Sequence, residues 1–312
     1  MKSSCKRTLM AVSLVAAVLV AATSAVTAQA APAAAAAGIC TSSSHQALAA
    51  RLSGDIPAAL RSRSSIVSVT VADIRTGVVC RLQEGRRFDS ASVVKVTILG
   101  ALLRKALEQH RYLTSAEVSL TTAMITRSDN NAASALWARV GRSSLQHFLN
   151  LARMTETVLG PGGYWGLTQI TARDGLTLLR VLMTVNSVLD TPSRRYALGL
   201  MSRVIASQRW GVPAGTPAGV IVHVKNGWLP RPTYGWRIHS IGSFFGLGRD
   251  YMIVVLSENN PTMAYGIRTV ENVARVIHRD LNAGLPAVVG LSAPSPAWGT
   301  PDERIPPLPS IP

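Results

Sequence analysis

Apolar and polar residues alternate along several short stretches of the chain, a pattern typical of β-strands with one buried face. Residues 65–85 (SIVSVTVADIRTGVVCRLQEG) alternate on both sides of a turn signal at Arg75, Thr76 and Gly77, which predicts a β-hairpin. Three more strand patterns follow in the second half of the chain, at residues 220–227, 235–246 and 250–259. Together these segments predict one antiparallel sheet of five strands.

Helical spacing of apolar residues accounts for most of the remaining chain. Residues 45–63 and 262–283 predict one helix before the first strand and one after the last. Between the hairpin and the later strands, a series of helical segments, about residues 92–207, is interrupted by the loop GPGGYWG. We therefore predict a mixed α/β (α+β) fold, in which terminal helices flank the sheet and an all-α lobe is inserted into it. A cleft between two such lobes is the usual place for a ligand site.

The two ends of the chain differ from this central part in composition. Residues 1–30 combine a positive start, a short apolar run and small residues before the predicted cleavage point, which predicts a secretory signal peptide. An uncleaved membrane anchor is the alternative. Residues 31–43 are rich in Ala and Ser and are expected to be disordered, and residues 284–312 form a Pro-rich tail. The folded domain is expected over residues 44–283 of a protein that is secreted, outside the cell or at the cell wall.

Composition gives the chain a strong positive charge. Lys and Arg number 32 against 16 Asp and Glu, a formal net charge of +16. A charge of this size favours acidic partners, such as an anionic cell-wall polymer. Nucleic acid is a poor candidate, because export is predicted and no nucleic-acid motif is present. We expect a monomer.

The cysteines and histidines indicate the redox compartment of the protein and whether a metal site is expected. Cys40 and Cys80 remain after the predicted signal peptide, and in an oxidising compartment they are candidates for a disulfide. Free buried thiols are the alternative. The two cysteines and six scattered histidines show no metal-ligand spacing, so neither a metal nor a cofactor is expected.

A serine and a lysine three residues apart stand at the predicted start of the helical segment. At this spacing Ser92 and Lys95 share one face of a helix. A serine hydroxyl needs a neighbouring base to act as a nucleophile, and a buried lysine can lose its proton whereas an arginine cannot. Only three lysines follow the predicted signal peptide, among many arginines, and Lys95 is one of them. The S-x-x-K pattern also marks ordinary helix starts, so it is weak on its own.

Two further short motifs strengthen this pattern. Residues 128–130 (Ser-Asp-Asn) lie between two predicted helices, where they also fit a helix N-cap. Lys225 and Gly227 lie at the end of a predicted strand, where glycine permits a ligand to approach the backbone closely. The order S-x-x-K, S-D-N, K-x-G resembles the motif set of the class A β-lactamases and penicillin-binding proteins. The resemblance extends over about residues 45–283.

The resemblance implies a serine acyl-transfer fold and a role for each matching residue. Ser92 would be the nucleophile, Lys95 its base partner, and Ser128 the group that passes a proton to the leaving nitrogen. The implied substrate is a β-lactam or a similar peptide of the cell wall.

Residues that bind the substrate are implied in the same way. Asn130 would hold the amide side chain of the substrate and help to orient the lysine. Lys225 would attract the substrate carboxylate, and Gly227 would line the same wall. The backbone N–H groups of Ser92 and Trp228 would form the oxyanion hole.

Three departures from the family pattern affect the expected activity. The deacylating glutamate of the family, in an E-x-x-L-N loop, has no clear match: Glu156 is a candidate, but a second alignment places it before the loop, which then lacks a carboxylate. Asn226 stands where Thr or Ser is usual, and its amide can still bond a carboxylate. Only 36 residues separate Ser92 from Ser128, which indicates a more open site.

These observations predict a secreted serine hydrolase that is acylated at Ser92 by β-lactams or related amides and esters, with slow β-lactam hydrolysis. One alternative is a D-alanyl-D-alanine peptidase or esterase acting on cell-wall peptides. The other is a catalytically silent wall-binding protein that keeps the fold and uses its basic surface.

Overall fold

The computed structural model describes Met1 and residues 38–285. The predicted signal peptide apart from Met1 lies outside the described residues, as do residues 31–37 and the part of the Pro-rich tail from residue 286 onward. The strands are β1 (Cys40–Thr41), β2 (Ile66–Asp73), β3 (Val79–Leu82), β4 (Phe88–Asp89), β5 (Gln169–Ile170), β6 (Ile221–Pro230), β7 (Trp236–Gly246) and β8 (Arg249–Asn260). The helices are α1 (Gln46–Ala58), α2 (Val94–Glu108), α3 (Ser115–Thr126), α4 (Asn130–Val140), α5 (Arg142–Leu151), α6 (Ala172–Met183), α7 (Thr191–Ser202) and α8 (Met263–Leu281).

The main sheet has one more strand than the sequence pattern predicted. Its order is β1-β3-β2-β8-β7-β6, and every neighbouring pair is antiparallel. The extra strand, β1, is two residues long, which is too short to show alternation. Cys40 lies opposite Cys80 in its pairing with β3, and a disulfide joins the two residues. The expectation of disorder is therefore wrong for residues 38–43, because β1 and the disulfide hold them at the sheet edge.

Both faces of the sheet are buried, which explains the unbroken apolar run along β8. Ile253 and Val255 belong to a core shared with α1 and α8, whereas Met252 and Val254 belong to a core shared with the helices between β4 and β6. Successive side chains of a strand point to opposite faces, so a central strand covered on both sides is apolar at nearly every position.

The helical insert lies where the sequence placed it, with one addition. The helices α2 to α7 fall between β4 and β6, but β5 also lies among them and pairs with β4. This two-stranded ladder joins the chain just before Ser92 to the end of the loop GPGGYWG. The first strand of the ladder leads directly into the turn that carries the predicted nucleophile.

The length and hydropathy of the helices show whether any of them could span a membrane. Within the described ranges, none of the helices has the length and hydropathy needed to cross a bilayer.

Candidate active site

Ser92 lies in a single 3₁₀ turn, Ala91–Val93, immediately before α2. Ala91 has a φ of 47°, in the left-handed region that is unfavourable for residues other than glycine. The turn is held by a hydrogen bond of 2.7 Å from the Ser90 N–H to the Thr168 carbonyl oxygen. Ser92 is 8% exposed and lies on the wall of a cavity. Its backbone is thus fixed while its hydroxyl remains accessible.

Lys95 is completely buried, and its side-chain nitrogen has three hydrogen-bond partners. Nζ donates to the Ser128 carbonyl oxygen at 2.6 Å and to Asn130 Oδ1 at 2.8 Å, and it lies 3.1 Å from Ser128 Oγ. Burial lowers the pKa of Lys95 from its ordinary 10.5 to about 7, although the charge of Asp129 acts in the opposite direction. A lysine with this pKa is partly neutral at pH 7 and can accept a proton.

The three partners of Lys95 also suit its neutral form. Two of them are carbonyl-type oxygens that only accept, whereas the Ser128 hydroxyl can donate or accept. A neutral Lys95 keeps all three contacts if this hydroxyl donates to it. Within the described residues no hydrogen bond joins Lys95 to Ser92. Direct contact is not needed in this state, because a catalytic hydrogen bond often forms only when substrate binds, or acts through one water molecule.

Ser128 stands between Lys95 and a second buried lysine, Lys225. Its hydroxyl oxygen lies 3.1 Å from Lys95 Nζ and 3.0 Å from Lys225 Nζ. The following residue, Asp129, is the N-cap of α4, so the helix-cap interpretation of this motif holds alongside the chemical one. Burial lowers the pKa of Lys225 well below 10.5, and the charge of Lys95 lowers it further. The fold thus joins the three motifs through one shared hydroxyl.

Gly227 allows β6 to pass very close to the turn that carries Ser92. A Cβ atom at Gly227 would lie 3.0 Å from both the Ser90 carbonyl oxygen and the Ser92 nitrogen, a tighter contact than most Cβ atoms make. A larger residue would therefore push against the backbone of this turn. The next residue, Trp228, lines the same cavity as Ser92. The backbone N–H groups of Ser92 and Trp228 are therefore the candidate oxyanion donors.

None of the three residues of the third motif lines the described cavity, contrary to expectation: Gly227 packs against the turn of Ser92, and the other two side chains are buried. Asn226 is completely buried, and its amide nitrogen donates to the carbonyl oxygens of Gln208 (2.8 Å) and Trp210 (2.9 Å). Side chains alternate along a strand, so this amide is engaged away from the cavity, contrary to the expectation that it bonds a substrate carboxylate. Lys225 is also completely buried. It can influence a substrate through the Ser128 hydroxyl and through its charge rather than from the cavity wall.

Glu156, the candidate for the deacylating base, is not among the residues that line the described cavity. Its carboxylate accepts a hydrogen bond of 2.8 Å from Thr171 Oγ1 and pairs with the guanidinium of Arg173. Arg173 also pairs with Glu84, which makes Glu156 part of a partly exposed ion-pair group. The alignment that places Glu156 before the loop agrees with this position.

The loop GPGGYWG supplies a further wall of the cavity. Gly166 passes beside the turn of the nucleophile, since a Cβ atom there would lie 4.0 Å from Ala91 Cα. The ring centre of Trp165 lies 4.8 Å from Lys95 Nζ, and its indole N–H donates to Ser134 Oγ at 3.1 Å. An indole ring, rather than a carboxylate, therefore faces Lys95 from this loop.

The cavity in front of Ser92 has a volume of about 610 Å³, enough for a drug-sized molecule. In the part of the chain that the structure describes, one charged residue lines it, Arg231, and no Asp or Glu does. The same ranges contain no group of three His, Cys, Asp or Glu side chains that could hold a metal ion. The lining residues are Ala91, Ser92, Ser128, Asn130, Ser134, Gly163, Tyr164, Trp165, Gly166, Leu167, Trp228, Leu229 and Arg231.

Sequence reasoning did not single out Trp165, Ser134 or Arg231. The sequence of the loop GPGGYWG indicates a break between helices, but it does not show which of its two aromatic rings faces Lys95. Arg231 is one arginine among many, and its place at the cavity depends on the chain direction after β6 ends.

A serine followed one helical turn later by a buried lysine that can be neutral at pH 7 is the arrangement of an active-site serine hydrolase. Comparison with sequence families leads to the same class. The Beta-lactamase enzyme family matches residues 116–281, just over half of the chain, and the protein belongs to this family. Comparison with curated proteins finds no match.

Solved structures share the fold over most of the chain. A class A beta-lactamase from Bacteroides cellulosilyticus is 18% identical, with a TM-score of 0.66 over 75% of this chain and 98% of that one. A beta-lactamase from Sphaerobacter thermophilus is 18% identical, with a TM-score of 0.64 over 76% and 98%. A mutant of PBP-A, in an acyl-enzyme complex with penicillin G, is 18% identical, with a TM-score of 0.63 over 75% and 97%. At this identity the likenesses establish the fold.

Proposed function

We propose that the protein is acylated at Ser92 by β-lactams, or by related amides and esters, and that it hydrolyses the acyl-enzyme slowly. The proposal depends on a contrast between the groups available for acylation and those available for deacylation. The groups needed for acylation, Ser92, Lys95 and Ser128, lie together, whereas no carboxylate lines the described cavity.

Acylation follows from the proton partners of the three motifs. The Ser92 oxygen attacks the carbonyl carbon and its proton passes to neutral Lys95, while Ser92 and Trp228 N–H groups stabilise the oxyanion. When the carbon–nitrogen bond breaks, Ser128 gives its proton to the leaving nitrogen and takes one from Lys95. The amine is then neutral again, and the products are an ester at Ser92 and a protonated leaving group.

Release of the acyl group needs a water molecule and a base close to the ester. Glu156 is engaged with Thr171 and Arg173 outside the cavity, and an indole ring faces Lys95 from the loop. We therefore favour an enzyme that forms the ester readily and releases it slowly. The same argument supports the second candidate, a D-alanyl-D-alanine peptidase or esterase, because such an enzyme shares the nucleophile and deacylates differently.

The test combines a chromogenic β-lactam with intact-mass measurement. We expect a stoichiometric adduct at Ser92 with turnover well below one per second, and no adduct on Ser92→Ala. Ser134→Ala, which removes another serine of the same cavity, should still be labelled. Rapid turnover would show an efficient β-lactamase, and labelling that survives in Ser92→Ala would remove the assignment. An unlabelled wild-type protein would favour the silent wall-binding alternative.

We also propose that the protein acts outside the cytoplasm as a monomer and contacts anionic cell-wall polymer. The N-terminal pattern and the Cys40–Cys80 disulfide support export, because disulfides persist in oxidising compartments. The full chain has a net charge of +16, and removal of residues 1–30 takes away Lys2, Lys6 and Arg7 and leaves +13, which supports attraction to an anionic polymer. Terminal sequencing of the exported protein and binding to purified wall polymer at two salt concentrations test these points.

A further inference from the structure

Arg231 is the charged side chain on the described cavity wall, and the acyl-transfer groups already discussed make no use of it. We infer that Arg231 binds a carboxylate on the acyl portion of the substrate, so that preferred substrates carry negative charge at that end. The inference rests on the proposed acylation of Ser92 and names a substrate class for the same site.

The orientation of the substrate follows from the proton path. Ser128 serves the leaving nitrogen, so the leaving portion lies at the Ser128 end of the cavity and the acyl portion extends the other way. The strand β6 runs from Lys225, which contacts Ser128, past Gly227 beside Ser92, and ends one residue before Arg231. Four residues of extended chain span ~13 Å. Arg231 therefore lies beyond Gly227 from the Ser128 end of the cavity, on the acyl side.

The positive charge at this position is held in place and only partly neutralised. Arg231 Nε lies 3.2 Å from Asp89 Oδ2, and the same carboxylate lies 3.5 Å from Arg237 Nε. Arg237 and Arg86 both pair with Glu258, at 3.7 Å and 2.6 Å. Three guanidinium groups thus share two carboxylates, which leaves one positive charge in excess. Arg231 is the member of this group that reaches the cavity, and its side chain is 40% exposed.

The surroundings of Arg231 suit an anion and not a cation. Trp228 and Leu229 form the neighbouring wall, and no Asp or Glu lines the described cavity to oppose a bound carboxylate. A guanidinium has five N–H donors, so its pairing with Asp89 leaves donors for a second carboxylate. Lys225, a cation on the strand that precedes Arg231, is completely buried beside Ser128, at the opposite end of the site.

The test uses two penicillins that differ by one carboxylate, benzylpenicillin and its α-carboxy derivative, carbenicillin. The readout is the ratio of their second-order acylation rates, followed by intact mass on one protein preparation. This ratio does not depend on the fraction of folded protein. We expect Arg231→Gln to lower the carbenicillin-to-benzylpenicillin ratio of acylation rates by about five- to tenfold. Arg231→Lys should have an intermediate effect, because it keeps the charge and loses the planar guanidinium that can bond both carboxylate oxygens. The effect should shrink at high salt, because the group is partly exposed.

Arg87→Gln is the matched control, because it removes an exposed arginine outside the cavity. It should keep the wild-type ratio. An unchanged ratio in Arg231→Gln, or an equal fall in both variants, overturns the inference while leaving acylation of Ser92 intact. If neither penicillin forms an adduct with wild-type protein, the proposed acylation fails and the inference fails with it.

Discussion

The rate of Ser92 acylation should rise steeply with pH up to neutrality and then level off. Burial lowers the pKa of Lys95 to about 7, so about half of the molecules carry a neutral amine at pH 7 and about one in ten does at pH 6. A lysine with the ordinary value of 10.5 would be neutral in only about one molecule in 3000 at pH 7. If neutral Lys95 is the base, the acylation rate should therefore fall about tenfold for each pH unit below 7.

The measurement is the second-order rate of benzylpenicillin adduct formation between pH 5 and 9. Lys95→Arg should abolish acylation at every pH, because a guanidinium keeps its proton. Lys105→Arg is the matched control on the same helix: its side chain bonds carbonyl oxygens at the end of α4, and it should keep the wild-type profile. A rate that stays flat from pH 5 to 8, or Lys95→Arg acylating within tenfold of wild type, would refute the assignment of Lys95 as base.

The same buried amine has a stability signature with a defined sign. The pKa of Lys95 is lower in the folded chain than in the unfolded one, so the unfolded state binds more protons between about pH 7 and 10.5. The free energy of unfolding should therefore increase with pH across this window. Replacing Lys95 with Met removes the titration, and its stabilising effect should be larger at pH 6 than at pH 9 by about 2–3 kcal/mol. Denaturant unfolding at the two pH values measures this difference.

Two further substitutions test the walls of the site. Gly227→Ala places a methyl group 3.0 Å from the backbone of the Ser92 turn. The acylation rate should fall at least ~100-fold, as for loss of an oxyanion donor, and the free energy of unfolding should fall by ~1–3 kcal/mol. An acylation rate within threefold of wild type contradicts the close contact. Trp165→Ala should shorten the lifetime of the acyl-enzyme and shift the acidic limb of acylation to higher pH, because water then reaches Lys95. Trp165→Phe keeps a ring there, and equal lifetimes in all three proteins would show that the indole does not protect the ester.

The long elements of the fold could be predicted because their patterns repeat over many residues. The strands β2, β6 and β7 and the terminal helices show a period over eight or more residues, and β8 carries an unbroken apolar run. The two-residue strands β1, β4 and β5 have no period, and only pairing across distant parts of the chain defines them.

Some residues of the candidate site could likewise be predicted from the sequence, and others could not. The meeting of Ser92, Lys95 and Ser128 at one site could be predicted, because few residue types suit acyl transfer and the spacing of the three motifs is characteristic. The orientation of Asn226 also follows from the sequence, because a period of two along the strand places it on the face opposite Lys225. The direction of Trp165 depends on packing within its loop and on the hydroxyl of α4 that receives its indole N–H, which no local pattern encodes.

The ladder of β4 and β5 has a consequence for how this protein could evolve or be engineered toward antibiotic resistance. The Ser90–Thr168 hydrogen bond and the ladder connect the nucleophile turn directly to the loop that carries Trp165. If Ser92 is the nucleophile, we expect a loop substitution that admits a water molecule to displace the backbone of the Ser92 turn as well. Faster hydrolysis of the acyl-enzyme is therefore expected to come with slower acylation of Ser92, unless a second substitution restores the geometry of the turn. We expect adaptive routes to pass through paired changes, one on each side of the ladder, and single changes in the loop to be selected rarely.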